Sequence, residues 1–353
     1  MKRTSAFLIS CFAAVSLSAA PPVDVAALNA YATKAMPRCA EQKITLERQD
    51  DPAPTGFVKF ALTETSSDTT CGKRTTLLYS PSTQQVLIGS LLPLPSDRRS
   101  VELRVADAVT ERLQVPVTAS LSRGFPLPDA LKPIVFTKPT QAGPFPYHGY
   151  VDASEQFLIV ASRGNLKVDP TKTLVDAVGL GGAVRRGNPK SPVKIIEVSD
   201  FECPTCGRAH KIIEPLVEKH LHNVDYYRLD LPLFEMHKWA LDAAAGARAI
   251  QQVAPKKYWE YVNYVYANHE AIDKIAFDTV IKDFSDDHDI SWPAVEKIYR
   301  SPAVRAALVE QVGRLLDLGI NSTPTYIING QIMGFGPEGK FTIAAVKKAI
   351  GAK

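Results

Sequence analysis

From residue 23 onward, stretches with helical apolar spacing alternate with short strand-like runs. In VDVAALNAYATKAM (23–36), Val25, Leu28, Tyr31 and Ala35 recur at helical spacing, and four strand-like runs follow near 43–48, 57–63, 74–80 and 85–91. The same order then repeats. RRSVELRVADAVTERL (98–113) reads as a second helix, with runs near 115–122, 133–137, 147–152 and 156–161 behind it. The closing hairpins align as well: YSPSTQQVLIG (79–89) and YVDASEQFLIV (150–160) share Tyr, Gln, Leu and Ile at a constant offset of 71. The pattern predicts two tandem α+β modules, 21–95 and 96–168, joined near Pro93–Asp97 and related by duplication.

A short helix over Pro170–Val178 and the stretch GLGGAVRRGNPKSP end that order. Gly, Pro and basic residues without periodicity predict a flexible linker over 169–192. From Val193 the pattern becomes α/β. VKIIEVSD (193–200) reads as a nearly continuous apolar strand, CPTCGRAHKIIEPLVEKH (203–220) as a helix and VDYYRLDLPL (224–233) as the next strand. Apolar stripes such as Trp239, Ala243, Ala247 and Ile250 predict a helical block from about 237 to 318. Strands at Tyr326–Ile328 and Gln331–Met333 then flank an Asn329-Gly330 turn, and a helix over Thr342–Ala349 closes a third unit, 193–353.

Composition changes the picture at the N-terminus. Lys2 and Arg3, an apolar run over Ala6–Leu17 and the small residues Ser18-Ala19-Ala20 predict a secretory signal peptide over 1–20. Leu8-Ile9-Ser10-Cys11 also resembles a lipoprotein cleavage box, but only about six apolar residues precede Cys11 and the run continues past it. Removing the signal leaves 39 basic against 37 acidic side chains, which gives no electrostatic reason to expect nucleic acid or anionic membrane as partner. Four cysteines remain, Cys39, Cys71, Cys203 and Cys206, and an even count in an exported chain favours disulfides. Cys39 and Cys71 suit a structural bridge within the first module, since neither sits at a strand-to-helix turn; a second redox pair is the competing reading.

The chemistry concentrates at DFECPTCGRAH (200–210). Zinc needs about four ligands; no second CxxC exists, and the close pair His220 and His222 suits a solvated helix end. A purely structural Cys203–Cys206 bridge would close too small a loop to stabilise much. A redox pair fits best. Cys203 stands at the cap of the helix, where free amides and the dipole stabilise a thiolate, and Cys206 one turn inside acts as the resolving thiol. Pro204 fits the first turn without losing a hydrogen bond. Arg208 and His210 are expected to face solvent.

EVSDFECPTC (197–206), STPTYIING (322–330) and the helical insertion between them resemble the thioredoxin-fold disulfide oxidoreductases of the bacterial envelope, the DsbA/DsbC/DsbG group. The resemblance covers Val193–Lys353. It implies a cis peptide bond at Thr323–Pro324, lying against the cysteines and pairing with an extended substrate together with Pro204 and Thr205. It also implies that Glu197, a buried carboxylate of raised pKa, assists proton transfer to and from Cys206. The group needs no cofactor beyond its redox-active disulfide. It implies a periplasmic protein serving unfolded or misoxidised exported proteins, recharged by a membrane partner of the DsbD-like reductase or DsbB-like oxidase kind.

One departure bears on direction. The intervening Pro-Thr lacks the histidine of the strongly oxidising DsbA type, so a pair less oxidising than roughly −120 mV is expected. That departure and the threonine before Pro324 lean towards isomerase or reductase work, with DsbA-like oxidation as the alternative. A cystatin-like, dimerising front domain occurs in DsbC and DsbG. By analogy the duplicated modules here supply such a pair within a monomer, a homodimer being the other arrangement. A non-enzymatic chaperone (holdase) is the rival from another class.

Overall fold

The computed structural model describes residues 23–67, 71–122, 127–140, 142–336 and 338–352. The predicted signal peptide and Cys11 lie outside the described residues. Among the described residues, no helix is long and apolar enough to cross a membrane.

The front half is one helix and four strands, twice. Helix α1 (Val25–Ala35) precedes β1 (Lys43–Gln49), β2 (Val58–Thr65), β3 (Arg74–Tyr79) and β4 (Gln85–Pro93); helix α2 (Val101–Leu113) precedes β5 (Thr118–Leu121), β6 (Lys132–Thr140), β7 (Gly143–Val151) and β8 (Phe157–Asn165). Each helix starts where a side chain satisfies a free amide: Asp24 accepts from Ala27 N at 2.9 Å, and Ser100 accepts from Leu103 N. Their apolar stripes rest on the sheet, Leu28 and Ala32 among Phe60, Leu62 and Val86, and Val105 and Val109 among Ile134, Val151 and Leu158.

All eight strands form one antiparallel sheet, in the order β1-β2-β3-β4-β8-β7-β6-β5. Its centre is the β4–β8 seam, with Gln85 opposite Asn165 and Pro93 opposite Phe157. This register is symmetric under the 71-residue offset: Leu87 lies opposite Arg163, and their counterparts Leu158 and Leu92 lie opposite each other. Gly89 sits at this seam because a Cβ there would come within 2.2 Å of the Val160 carbonyl oxygen.

The second half is built on a five-stranded sheet. Helix α3 (Pro170–Val178) leads to β9 (Val184–Gly187), β10 (Lys194–Ser199), α4 (Pro204–Lys219) and β11 (Asp225–Asp230). Six helices follow: α5 (Ala240–Val253), α6 (Tyr258–Ala267), α7 (His269–Ile272), α8 (Phe277–Asp287), α9 (Trp292–Tyr299) and α10 (Pro302–Asp317). Strands β12 (Thr325–Ile328) and β13 (Gln331–Met333) and helix α11 (Lys340–Ile350) complete the chain. The sheet order is β13-β12-β10-β11-β9, with β10 and β11 parallel at its centre.

Residues 184–187, read from composition as linker, are instead an edge strand paired antiparallel to β11. The arginines that suggested a solvated segment are partnered. Arg185 bonds Asp225 at 2.6 Å, while Arg186 pairs with Glu214 and stacks on Trp259 at 3.8 Å. Charge without periodicity marked four residues that are too short for a period to register.

The halves meet at several places, His148 of β7 and Asp317 of α10 at 2.7 Å among them, and two stand out. Arg38 bridges to β13, its amide donating to Ile332 O at 2.8 Å and its carbonyl accepting from Gly334 N at 2.9 Å. The Cys39–Cys71 disulfide follows at once, and Gly334 is required beside it: a Cβ would stand 2.7 Å from Cys39 Sγ. At the second place Lys138 and Tyr147 both bond Glu235, and Phe145 packs edge-on against Phe234 at 5.4 Å.

The disulfide spans a sequence separation of 32. Replacing both cysteines by alanine should therefore lower stability by about 3–4 kcal/mol in the chain-entropy model. Urea unfolding followed by circular dichroism reads this as an earlier transition, and an unchanged midpoint would contradict it.

Candidate active site

The two thiols stand where β10 gives way to α4. Cys203 is the N-cap residue and Pro204 the first helical residue, so proline occupies a position where the helix lacks an amide partner anyway. Cys203 is 7% exposed and its thiol donates to Thr323 O at 3.6 Å. Cys206, one turn in, is fully buried and accepts from the Asp200 amide at 3.5 Å. The Thr323–Pro324 peptide bond is cis, and Thr323 meets Cys203 across 120 residues of chain.

The two sulfurs titrate in opposite directions. A hydrogen bond from Cys206 first, then Thr323 and the Cys206 and Thr205 amides, stabilise the Cys203 thiolate against burial and bring its pKa down to about 6. Burial first, then the neighbouring Cys203, pushes the Cys206 thiol well up. At neutral pH one sulfur is ionised and the other protonated, the division of labour that thiol–disulfide exchange uses.

The side chains around the pair depart from expectation in two cases. Arg208 is exposed and donates to Thr205 Oγ1 at 2.8 Å, so the threonine hydroxyl is engaged on the surface. His210, expected to face solvent, is buried, bonds Asn263 at 2.7 Å and lies 4.8 Å from the Tyr266 ring; burial pushes its pKa down. The reason is the packing of α6 against α4, which covers a helix face that sequence spacing alone leaves open.

Glu197 is the second departure. It is 2% exposed, as a proton-transfer carboxylate requires, but its pKa is lowered rather than raised. Burial, the largest single influence, pushes it up, and the Arg228 guanidinium together with His210 and the Tyr226 and Ser199 hydroxyls more than offsets this. Arg228 Nη1 donates to Glu197 Oε1 at 2.7 Å and the Tyr226 hydroxyl donates to Oε2 at 2.6 Å, so both oxygens are taken. Glu197 and Arg228 occupy matched positions on the parallel strands β10 and β11.

Sequence reasoning did not single out Arg228, Ser199, Tyr266, Asp200 or His237. Asp200 is buried and accepts from the Leu233 amide at 2.7 Å and from His237 Nδ1 at 2.8 Å. The hydrogen bond to Asp200 first, with Asp200 and Cys203 charges behind it and burial against it, raises the His237 pKa. An arginine inside the strand VDYYRLD was the available signal: such a charge persists in a sheet interior only with a partner. Among the described residues, no cluster of three or more His, Cys, Asp or Glu side chains is arranged to hold a metal ion.

Residues 180–352 match the thioredoxin family model. The matched span carries the CxxC at the start of α4 and the cis-proline loop beside it. Several curated relatives carry the name Na(+)/H(+) antiporter NhaA 1. That of Salinispora arenicola is 28% identical over 168 residues, 47% of this chain and 24% of its own. That of Mycobacterium sp. (strain KMS) is 26% identical over 153 residues, 41% of this chain and 23% of its own. The chain thus spans about a quarter of the length of these relatives. Among solved structures, alpha-DsbA1 of Wolbachia pipientis is similar at 18% identity and TM-score 0.42, covering 49% of this chain and 92% of that one. Oxidised BdbD of Bacillus subtilis is similar at 17% identity and TM-score 0.43, covering 49% and 96%.

The lowered Cys203 pKa fixes a sign. A thiol depressed from about 8.5 in the unfolded chain to about 6 contributes stability that is fully present above the unfolded value. That contribution is lost as pH falls through about 6. Cys206 is protonated in both states over the lower part of this window and adds an opposing slope only towards its top, where the unfolded thiol begins to ionise and the folded one does not. The reduced protein should therefore lose stability relative to the oxidised protein between about pH 8.5 and 6. Iodoacetamide alkylation of the reduced protein should give a midpoint near 6 for Cys203. A midpoint near the ~8.5 of a free thiol would contradict it.

Proposed function

We propose that this protein is a periplasmic thiol–disulfide oxidoreductase acting on exported proteins, working chiefly as an isomerase or reductase. The observation that carries the reading is the placement of Cys203 at the cap of α4 against the Thr323 carbonyl, with Cys206 buried one turn in. In the exchange, the Cys203 thiolate attacks a substrate disulfide, forming a mixed disulfide and releasing one substrate thiolate. A substrate thiol then displaces Cys203 to give a new pairing. Otherwise Cys206 attacks Cys203, forming the Cys203–Cys206 disulfide and releasing the second substrate sulfur reduced. The carbonyl of Thr323 offers main-chain pairing to an extended substrate, with Pro204 and Thr205 alongside.

Direction rests on finer features. The dipeptide carries no imidazole, and the Thr205 hydroxyl is turned to Arg208 rather than to the thiolate. In this reading the front half, divided into modules 21–95 and 96–168, holds the unfolded chain near Cys203, and a membrane reductase of the DsbD-like kind keeps the pair reduced. The two-fold register of the β4–β8 seam supports a duplicated pair acting within one chain.

Thiol trapping in intact cells tests the direction: a mostly reduced pair is the expected result, and a mostly oxidised one turns the reading to oxidase. Cys206→Ser should accumulate mixed disulfides through Cys203, whereas Cys203→Ser should form none. Unimpaired function of Cys203→Ser would leave only a holdase.

A further inference from the structure

Resolution requires Cys206 as a thiolate, yet its sulfur is fully buried and held protonated. A set of buried donors converges on it. The Ser199 hydroxyl on β10 faces the sulfur, beside the Asp200 amide that donates to it at 3.5 Å, and Glu197 competes for the same hydroxyl. Ser199 Oγ lies 2.9 Å from the Tyr266 hydroxyl, which comes from α6. Arg228 Nη2 reaches the same hydroxyl at 3.1 Å from β11. A guanidinium only donates, so Tyr266 Oη accepts there and keeps one proton to give. Two acceptors compete for that proton: Ser199 Oγ, and the Asp200 carbonyl at 3.2 Å.

We propose that Arg228, Tyr266 and Ser199 form a donor chain that stabilises the Cys206 thiolate as it attacks the mixed disulfide. Tyr266 turns its proton from the Asp200 carbonyl to Ser199, and Ser199 directs its own at the sulfur. These are positioning residues acting on Cys206, and Glu197 serves by fixing Arg228. The inference rests on the exchange reading above.

The step balances within the complex. Cys206 Sγ bonds to Cys203 Sγ, the bond from Cys203 to the substrate sulfur breaks, and the electron pair leaves with the substrate. The Cys206 proton ends on that departing sulfur, and no outside oxidant is consumed. The other groups facing Cys206 are Cys203 and His210 on its own helix and Tyr326 on β12. The two neutral side chains among them, His210 and Tyr326, place no competing charge at the sulfur, since burial lowers the former's pKa and raises the latter's.

Reaction of the reduced protein with Ellman's reagent separates the steps. The first thionitrobenzoate released reports attack by Cys203, and the second reports resolution by Cys206. Ser199→Ala and Tyr266→Phe should slow the second release relative to the first by roughly tenfold or more, the loss of a donor to a charged acceptor. They should also move its pH profile upward, while Ser199→Thr restores both. A ratio within about twofold of the parent, or equal slowing of both releases, would overturn the inference. Should Tyr266→Phe fail to fold, the comparison of Ser199→Ala with Ser199→Thr decides alone. Failure of the parent protein to release two equivalents would sink the exchange reading instead.

Discussion

The second half turns on one buried ion pair. Arg228 and Glu197 have side chains 0% and 2% exposed, in register on adjacent parallel strands. Burying either charge alone would cost several kcal/mol, and a pair offsets that cost only with good geometry and further partners. Those partners are present: Tyr226 fills the second carboxylate oxygen, Tyr266 takes the other guanidinium nitrogen, and the Phe201 ring lies 4.5 Å beneath the cation. A one-residue slip between β10 and β11 would carry every side chain to the opposite face and strand both charges. The pair thus discriminates strongly against wrong registers. The active site inherits that precision, because Ser199 and Asp200 continue the same strand into the loop before Cys203.

The front half obtains its order by symmetry. Two equivalent strands, β4 and β8, pair with each other, so each module covers the edge that the other would expose. The close approach at Gly89 lets the strands meet without a side chain between them. The merged sheet is not an independent appendage. Arg38 adds to the edge of the catalytic sheet at β13, and Glu235 of the loop after β11 receives Lys138 and Tyr147 from β6 and β7. Two residues beyond Glu235 lies His237, which holds Asp200. A continuous set of contacts therefore runs from the front sheet to the residue whose carbonyl accepts from the Cys203 amide at 3.3 Å.

Much of this architecture is legible in the residues themselves. Helical and alternating periods locate the front elements to within a few residues, because the helices carry one apolar stripe and strands such as β2 and β6 bury alternate residues. The CxxC and the Thr-Pro segment are legible because their chemistry demands those residue types. What periodicity does not carry is pairing. Nothing local in VRRG separates an edge strand from a linker, since its stability comes from Asp225 and Glu214 far along the chain. Glu197 is visible as a carboxylate in an apolar strand, but the sign of its pKa shift depends on Arg228, 31 residues away. His210 is misplaced for the same reason, its cover being supplied by α6.

The two sulfurs draw on separate sources of stabilisation, and this has a consequence for how the pair is tuned. Cys203 is served by the amides at the start of α4 and by the cis-proline loop. Cys206 is served from below, by Ser199 and the Asp200 amide of β10, with Arg228 and Tyr266 behind them. A change in the dipeptide or the loop acts on the attacking sulfur, while a change in the strand interior acts on the resolving one. Isomerisation needs a mixed disulfide that lives long enough for a substrate thiol to find it, whereas reduction and oxidation need fast resolution. On the exchange reading proposed above, the relative strength of these two donor sets, rather than the acidity of Cys203 alone, governs which outcome prevails.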